Sequence, residues 1–368
     1  MSEVHVTRRA RLRERCEAQG GPAGAALITL PANIRYLTGC APAGPAALLL
    51  TPEPRDVLLG SPDTTAAVTD ESLRGSVLPV TRGDPAAAAG ELAAGAGVDT
   101  LAVEEHHLTV ARHRALADAA PRLRLTGLAC AVEQQRLVKD EEEISALRVS
   151  AEMTDHALGE LLESILVGRT ERHLALELER RLIDHGAEGP AFPTSVATGS
   201  HAGIPGHRPT DRRVEEGDFL SVCLGARYRG YRCQIGRTFV IGTAPATWQI
   251  ELYDLVFAAQ RAGREALTPG TEYRAVDRAT RHVLDAAGYS DALDPSTGHG
   301  VGLEFREDPR LCPDAMGKLD ACVPVTVEPG VHLPGRGGVR IDDTLVVRPQ
   351  ADGGPELLTI TTKELLAL

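Results

Sequence analysis

The residues best suited to chemistry fall in a few short blocks of the C-terminal half. Thr297-Gly298-His299-Gly300-Val301-Gly302-Leu303-Glu304 sets a histidine between glycines, with Arg306 just beyond it. Glu328-Pro329-Gly330 and Gly338-Val339-Arg340-Ile341-Asp342-Asp343-Thr344 add carboxylates and a second arginine. Upstream lie the thiol of Cys223, the amide of Gln234 and the imidazole of His207. Imidazoles such as His207 and His299 exchange protons near neutral pH. If Glu328 and Asp342 share a closed pocket, one of them holds a raised pKa and suits general acid–base work. Arg306 and Arg340 suit a substrate carboxylate, which a guanidinium grips through paired hydrogen bonds. His299 with Glu328 and Asp342 is equally a donor set for one divalent ion.

Plainer roles compete with these. Cys223 and Cys233 fall on predicted buried strands, where a small thiol packs well. The glycines flanking His299 permit close backbone approach, and His207 is placed to cap a turn before Arg208-Pro209. Arg237 reads as a buried ion-pair partner, and Glu141 to Glu143 as a solvated helix start.

The 368 residues suffice for two domains of roughly 150 residues each. A net charge of −12 argues against a nucleic-acid partner, because phosphate binding calls for excess Lys and Arg. The longest apolar run, around Ala46 to Leu50, is strand-sized, so no membrane span is expected. The Arg-rich start lacks a following apolar core and does not read as a secretory signal. Seven cysteines, odd in number and without CxxC spacing, suggest free thiols in a reducing cytoplasm.

Ahead of residue 134, short apolar runs alternate with helical stretches: a helix over Thr7–Gln19, then strands at Ala25–Leu30, Ala46–Thr51 and Val57–Leu59. That alternation predicts a mixed α/β layer domain. From residue 135 a helix opens at Asp140 with acidic residues that complement its dipole, and Ile144, Leu147, Ala151 and Leu158 share one face. A second helix spans Glu171–His185, strands fall near Thr194–Ala197, Phe219–Leu224 and Thr238–Ile241, and helices return at Thr247–Ala266 and Tyr273–Ala287.

Five ordered blocks, Gly186–Pro193, Gly217–Phe239, Thr297–Pro309, Val327–Gly330 and Gly338–Thr344, resemble the methionine aminopeptidase, prolidase and creatinase superfamily. Asn33-Ile34-Arg35-Tyr36-Leu37-Thr38-Gly39 resembles a run of the creatinase-type N-terminal domain. The resemblance implies an α/β (α+β) chain: a smaller N-terminal α/β domain over 1–134 and a pita-bread catalytic-type domain over 135–368. It is closest to Xaa-Pro peptidases and creatinase, which commonly pair as homodimers.

The resemblance also maps a dinuclear metal site onto this chain. Its first aspartate falls on Cys223 and its bridging aspartate on Gln234, while the histidine and one glutamate are kept as His299 and Glu328. The bridging glutamate is shortened to Asp342. Of the two assisting histidines, one position holds Arg306 and the other holds Gly206, followed at once by His207. Adjacent dications need bridging carboxylates, so this departure implies a metal-independent, creatinase-like enzyme without cofactor. Such an enzyme would cleave a C–N bond of a small polar amidino, amide or amino-acid-like molecule. Its catalytic residues would be His207, His299, Glu328 and Asp342, with Arg306, Arg340, Cys223 and Gln234 contacting substrate. The alternatives are a non-catalytic binding protein, or a divergent Xaa-Pro peptidase with one divalent ion on His299, Glu328 and Asp342.

Overall fold

The computed structural model describes residues 2–18, 25–52, 55–66, 73, 77–80, 83–164 and 166–368. It forms two compact units, Met1–Arg136 and Leu137–Leu368.

The first unit is built on a six-stranded sheet. Its spatial order is Val77–Pro79, Val57–Gly60, Ala46–Leu50, Ala26–Ile28, Thr100–Val103 and Arg124–Gly127. Ala26–Ile28 pairs antiparallel to Ala46–Leu50 and parallel to Thr100–Val103, so the sheet is mixed. Leu27, Leu49, Leu59 and Leu101 meet Ala86, Ala89, Ala93 and Leu116 from two helices in one core. The Asn33–Gly39 run is a structural device here. Buried Glu104 gathers Thr29 N at 2.6 Å, Leu30 N at 2.7 Å and Asn33 Nδ2 at 2.6 Å around the start of the helix Pro31–Thr38. Gly39 ends that helix at φ 73°, the left-handed cap conformation that favours glycine.

The second unit opens with the helix Glu141–Leu162. Asp140 accepts from Glu143 N, and the Glu143 side chain returns to Asp140 N, a reciprocal capping box. Glu143 is therefore buried and also receives Tyr231 Oη at 2.9 Å, whereas Glu141 and Glu142 stay solvated. Ile144, Leu147, Ala151 and Leu158 are all fully buried, as their common face requires. The strand Phe219–Leu224 lies between Ser195–Thr198 and Ile235–Val240, antiparallel to both. Leu220, Val222 and Leu224 join a core with Leu158, Leu174, Leu178 and Leu182 of the covering helices. Alternation along the strand sends Cys223 to the opposite face.

A five-stranded sheet runs Glu307–Leu311, Gly298–Gly300, Pro324–Val327, Asp343–Val346 and Glu356–Leu357. A hairpin of Gly330–Leu333 with Gly337–Arg340 accompanies it. Gly236 and Asp342 form an isolated antiparallel bridge, donating N–H to each other's carbonyl at 3.1 and 3.0 Å. That bridge ties the Cys223 sheet to the Asp342 segment. The strand expected from Thr238 starts three residues earlier because Ile235 already pairs with Leu224.

Candidate active site

His299 occupies the short strand Gly298–Gly300, and its N–H donates to Thr326 Oγ1 at 3.0 Å. A Cβ at Gly298 would lie 2.1 Å from Thr326 O, and one at Gly300 2.2 Å from Asp308 O, so only glycines permit this packing. The ring Nδ1 stands 2.9 Å from Gly300 O, which makes Nδ1 the protonated nitrogen and leaves a lone pair on Nε2. Nε2 is buried without a hydrogen-bond partner, 3.7 Å from Glu328 Oε2. Burial pushes the imidazole pKa down; Glu328 opposes this, while Arg306 and Arg340 add to it. The ring is thus a neutral base with its lone pair facing a carboxylate.

Glu328 follows the strand Pro324–Val327, and the Gly236 bridge carries Asp342 beside it. Gln234 Nε2 spans the two carboxylates, 2.5 Å from Glu328 Oε2 and 2.7 Å from Asp342 Oδ2. Its Oε1 is buried with no hydrogen-bond partner. Arg340 donates through Nε to both Asp342 oxygens at 2.8 Å and through a terminal nitrogen to Glu328 Oε2 at 2.8 Å. Cys223 Sγ donates to Asp342 Oδ2 at 3.4 Å. Burial raises the Asp342 carboxyl pKa, with Arg340 pulling it back and Glu328 adding to the rise. Burial and then the Asp342 charge lift the Cys223 thiol well above its ordinary value, so it stays protonated. Burial alone would lower Arg340, but Asp342 and Glu328 hold it well above its usual range.

Six of the eight residues singled out from sequence therefore meet: Cys223, Gln234, His299, Glu328, Arg340 and Asp342. Their expected roles change in part. Arg340 is engaged by Glu328 and Asp342 rather than free for a substrate carboxylate, because it ends the hairpin strand Gly337–Arg340 with its guanidinium turned onto both. Gln234 and Cys223, expected to touch substrate, spend their donors on the same carboxylates. Arg306 is exposed, its guanidinium 5.4 Å over the Phe305 ring. Phe305 packs edge-on to His299 at 5.5 Å and 4.3 Å from Phe192.

His207, expected to shuttle protons in this pocket, instead bonds through Nε2 to Glu171 Oε2 at 2.9 Å. His201 Nδ1 holds the other Glu171 oxygen at 2.9 Å. Burial would raise the Glu171 carboxyl, but hydrogen bonds from His207, Thr210 and Thr198 bring it down to about 2. Sequence reasoning missed Glu171 because an acid after Thr170 reads simply as a helix first turn. It also missed Asp294 and His332, which pair at 3.2 Å with Arg340 3.7 Å from the same carboxylate. No local spacing announces that cluster.

Two family models match the chain: the creatinase/prolidase N-terminal domain over residues 8–138 and metallopeptidase family M24 over residues 145–349. A protein named Xaa-Pro dipeptidase from Pyrococcus furiosus is 37% identical over 235 residues, which are 64% of this chain and 66% of that protein. The chain therefore spans slightly less than two thirds of that relative's length. An uncharacterized peptidase of Bacillus subtilis, YqhT, is 32% identical over 93% of this chain and 95% of its own. Among solved structures, the Xaa-Pro dipeptidase from Bacillus anthracis superposes with a TM-score of 0.90 at 28% identity, covering 99% of this chain and 100% of that one. The prolidase from Pyrococcus horikoshii gives 0.87 at 29% identity over 98% and 99% of the two chains. These likenesses overturn two expectations. Relatives named Xaa-Pro dipeptidases in a metallopeptidase family contradict a metal-independent, creatinase-like reaction, and equally a protein that needs no cofactor. Replacing two carboxylate positions suggested loss of metal chemistry; the orphaned His299 nitrogen shows that a metal-type donor persists beside Glu328. With its mixed α/β two-domain architecture, the chain belongs to metallopeptidase family M24 of the pita-bread superfamily, behind a creatinase/prolidase N-terminal domain.

Proposed function

We propose that the protein hydrolyses short Xaa-Pro peptides, dipeptides foremost, with one divalent cation that draws the donors of His299, Glu328 and Asp342 together. The observation that carries this reading is the buried, partnerless Nε2 of His299, 3.7 Å from Glu328 Oε2 and fixed by the Nδ1 contact to Gly300 O. A buried lone pair beside a carboxylate is unfavourable until a cation or proton satisfies it. Gln234 Oε1, also buried and unpartnered, offers a neutral oxygen from the residue that grips both carboxylates. Charge balance favours one ion over two. Arg340 already places a permanent positive charge on Glu328 and Asp342, and a second dication would add repulsion that only further bridging carboxylates offset.

When bound, the cation supplies Lewis-acid polarisation of a scissile carbonyl. The protein's own groups do the rest. Ligation needs the carboxylate form of Asp342, which Arg340 favours through Nε contacts to both oxygens at 2.8 Å against the rise that burial causes. Arg340 and Gln234 fix the two carboxylates so that neither reorients during turnover. Exposed Arg306 meets the free carboxylate of a dipeptide, and the Phe192–Phe305 pair offers an apolar wall to a pyrrolidine ring. The same reading expects a pair of chains in a reducing cytoplasm, the compartment that seven cysteines without CxxC spacing suggest. Among the described residues, no helix is long and apolar enough to cross a membrane.

Assay of Xaa-Pro against Xaa-Ala dipeptides tests the reading. Cleavage confined to Xaa-Pro and lost in His299→Ala supports it. Wild type that binds such peptides without cleaving them under any metal loading would mark a binding protein instead.

A further inference from the structure

We propose that Glu171, His201 and His207 form a second cation site, for one zinc-class divalent ion, on donors separate from His299, Glu328 and Asp342. Glu171 opens the helix Glu171–Asp184 and its side chain is fully buried. Its carboxylate accepts Thr198 N at 2.8 Å, Thr210 N at 2.9 Å and Thr210 Oγ1 at 2.7 Å. These three donors hold the carboxylate in place, the outer support that ligating carboxylates use. The remaining contacts come from two imidazoles: His201 Nδ1 to Oε1 and His207 Nε2 to Oε2, both at 2.9 Å. The three residues thus bring one donor atom each to within 4.8 Å of one another.

Donors around an ion at about 2.0–2.1 Å stand roughly 3.3 Å apart in tetrahedral geometry. Small outward shifts of the two rings would therefore open the required space without moving Glu171. Ligation uses the lone pairs of His201 Nδ1 and His207 Nε2, so each ring then carries its proton on the other nitrogen. Two imidazoles with one carboxylate favour zinc or cobalt over magnesium and calcium, which prefer oxygen-only donors. The His201 side chain is 27% exposed against 9% for His207, which leaves an entry path and a fourth position for water on the His201 side. Bound there, an ion would staple the loop from Gly199 to Thr210 onto the start of the Glu171–Asp184 helix.

The test is zinc titration of the full chain, read by calorimetry and elemental analysis. A His299→Ala/Glu328→Gln background disables the central pocket and is expected to retain one zinc per chain. Adding His201→Gln and His207→Gln should weaken that binding about 100-fold. Glutamine can still donate to Glu171, so circular dichroism should stay unchanged; should the quadruple variant unfold, His201→Gln alone reads the same loss at about tenfold. Cobalt in place of zinc should show no thiolate charge-transfer band, since no cysteine belongs to the set. The proposal is overturned if the background variant takes up no zinc, if its zinc is indifferent to the histidine changes, or if a thiolate band appears.

Discussion

Arg340 is the fixed cation around which the pocket carboxylates close, and its removal should be felt in stability as well as chemistry. Truncating one partner of a buried ion pair costs about 3–5 kcal/mol because the other charge is left uncompensated. Arg340 retains 23% side-chain exposure, so Arg340→Met should sit near the lower end, about 3 kcal/mol by urea unfolding at neutral pH. The sign of its pH dependence follows from Asp342. Burial already raises that carboxyl and Arg340 restrains the rise, so the variant raises it further. A carboxyl raised in the fold destabilises once it ionises, and the loss is absent below its unfolded pKa. The Arg340→Met penalty should therefore shrink as pH falls into the acid range and be relieved at neutral pH by a divalent ion; a pH-independent, metal-insensitive loss would contradict this. Arg237 makes a simpler case. Its pair with Asp343 is fully buried on both sides, as its place in the sequence suggested, and Arg237→Met should cost at least about 3 kcal/mol by the same assay. The direction of Arg340 was not legible in the same way. An arginine two residues from a carboxylate reads equally as a substrate anchor, and only the hairpin fixes which way it turns. The contact of His207 was hidden for a related reason: its partner Glu171 lies 36 residues away on a helix that nothing near His207 announces.

At the scale of elements, the pocket depends on one isolated bridge. Gly236 and Asp342 exchange backbone hydrogen bonds, and a Cβ on Gly236 would stand 2.5 Å from the Asp342 carboxyl carbon. Gly236→Ala should displace that carboxylate, lowering divalent-ion affinity and Xaa-Pro turnover by roughly 10–100-fold, the range seen when support of a ligand is lost. At Gly95, in the helix Pro85–Gly95, an added Cβ would meet nothing within 4 Å, and Gly95→Ala should leave both unchanged. Binding isotherms and steady-state rates for the two variants decide the point. Much of the element layout was readable in advance because the periodicity is local. Ile144, Leu147, Ala151 and Leu158 mark one helical face, and Phe219–Leu224 alternates so that Leu220, Val222 and Leu224 share one core. The bridge and the Gly330–Arg340 hairpin were not readable, because glycine-rich blocks carry no hydrophobic period and their pairing is made far along the chain.

For the whole molecule, the reading joins family membership, a one-ion pocket and paired chains. Light scattering at micromolar concentration should return twice the 39.0 kDa chain mass, and a monomer would remove the dimer from the account. Family and fold were legible from ordered motif blocks spread across the chain, whereas the proposed one-ion pocket was not. Substitution at Cys223 and Gln234 argued against it, while the buried lone pair of His299 that argues for it exists only in three dimensions. The most direct test is a metal titration of Xaa-Pro dipeptide cleavage after chelation, in the His201→Gln/His207→Gln background so that only the central pocket is read. One equivalent of manganese, cobalt or zinc per chain should restore full activity, and His299→Ala should abolish the response. Cleavage that survives chelation, or that needs two equivalents, would contradict the one-ion account.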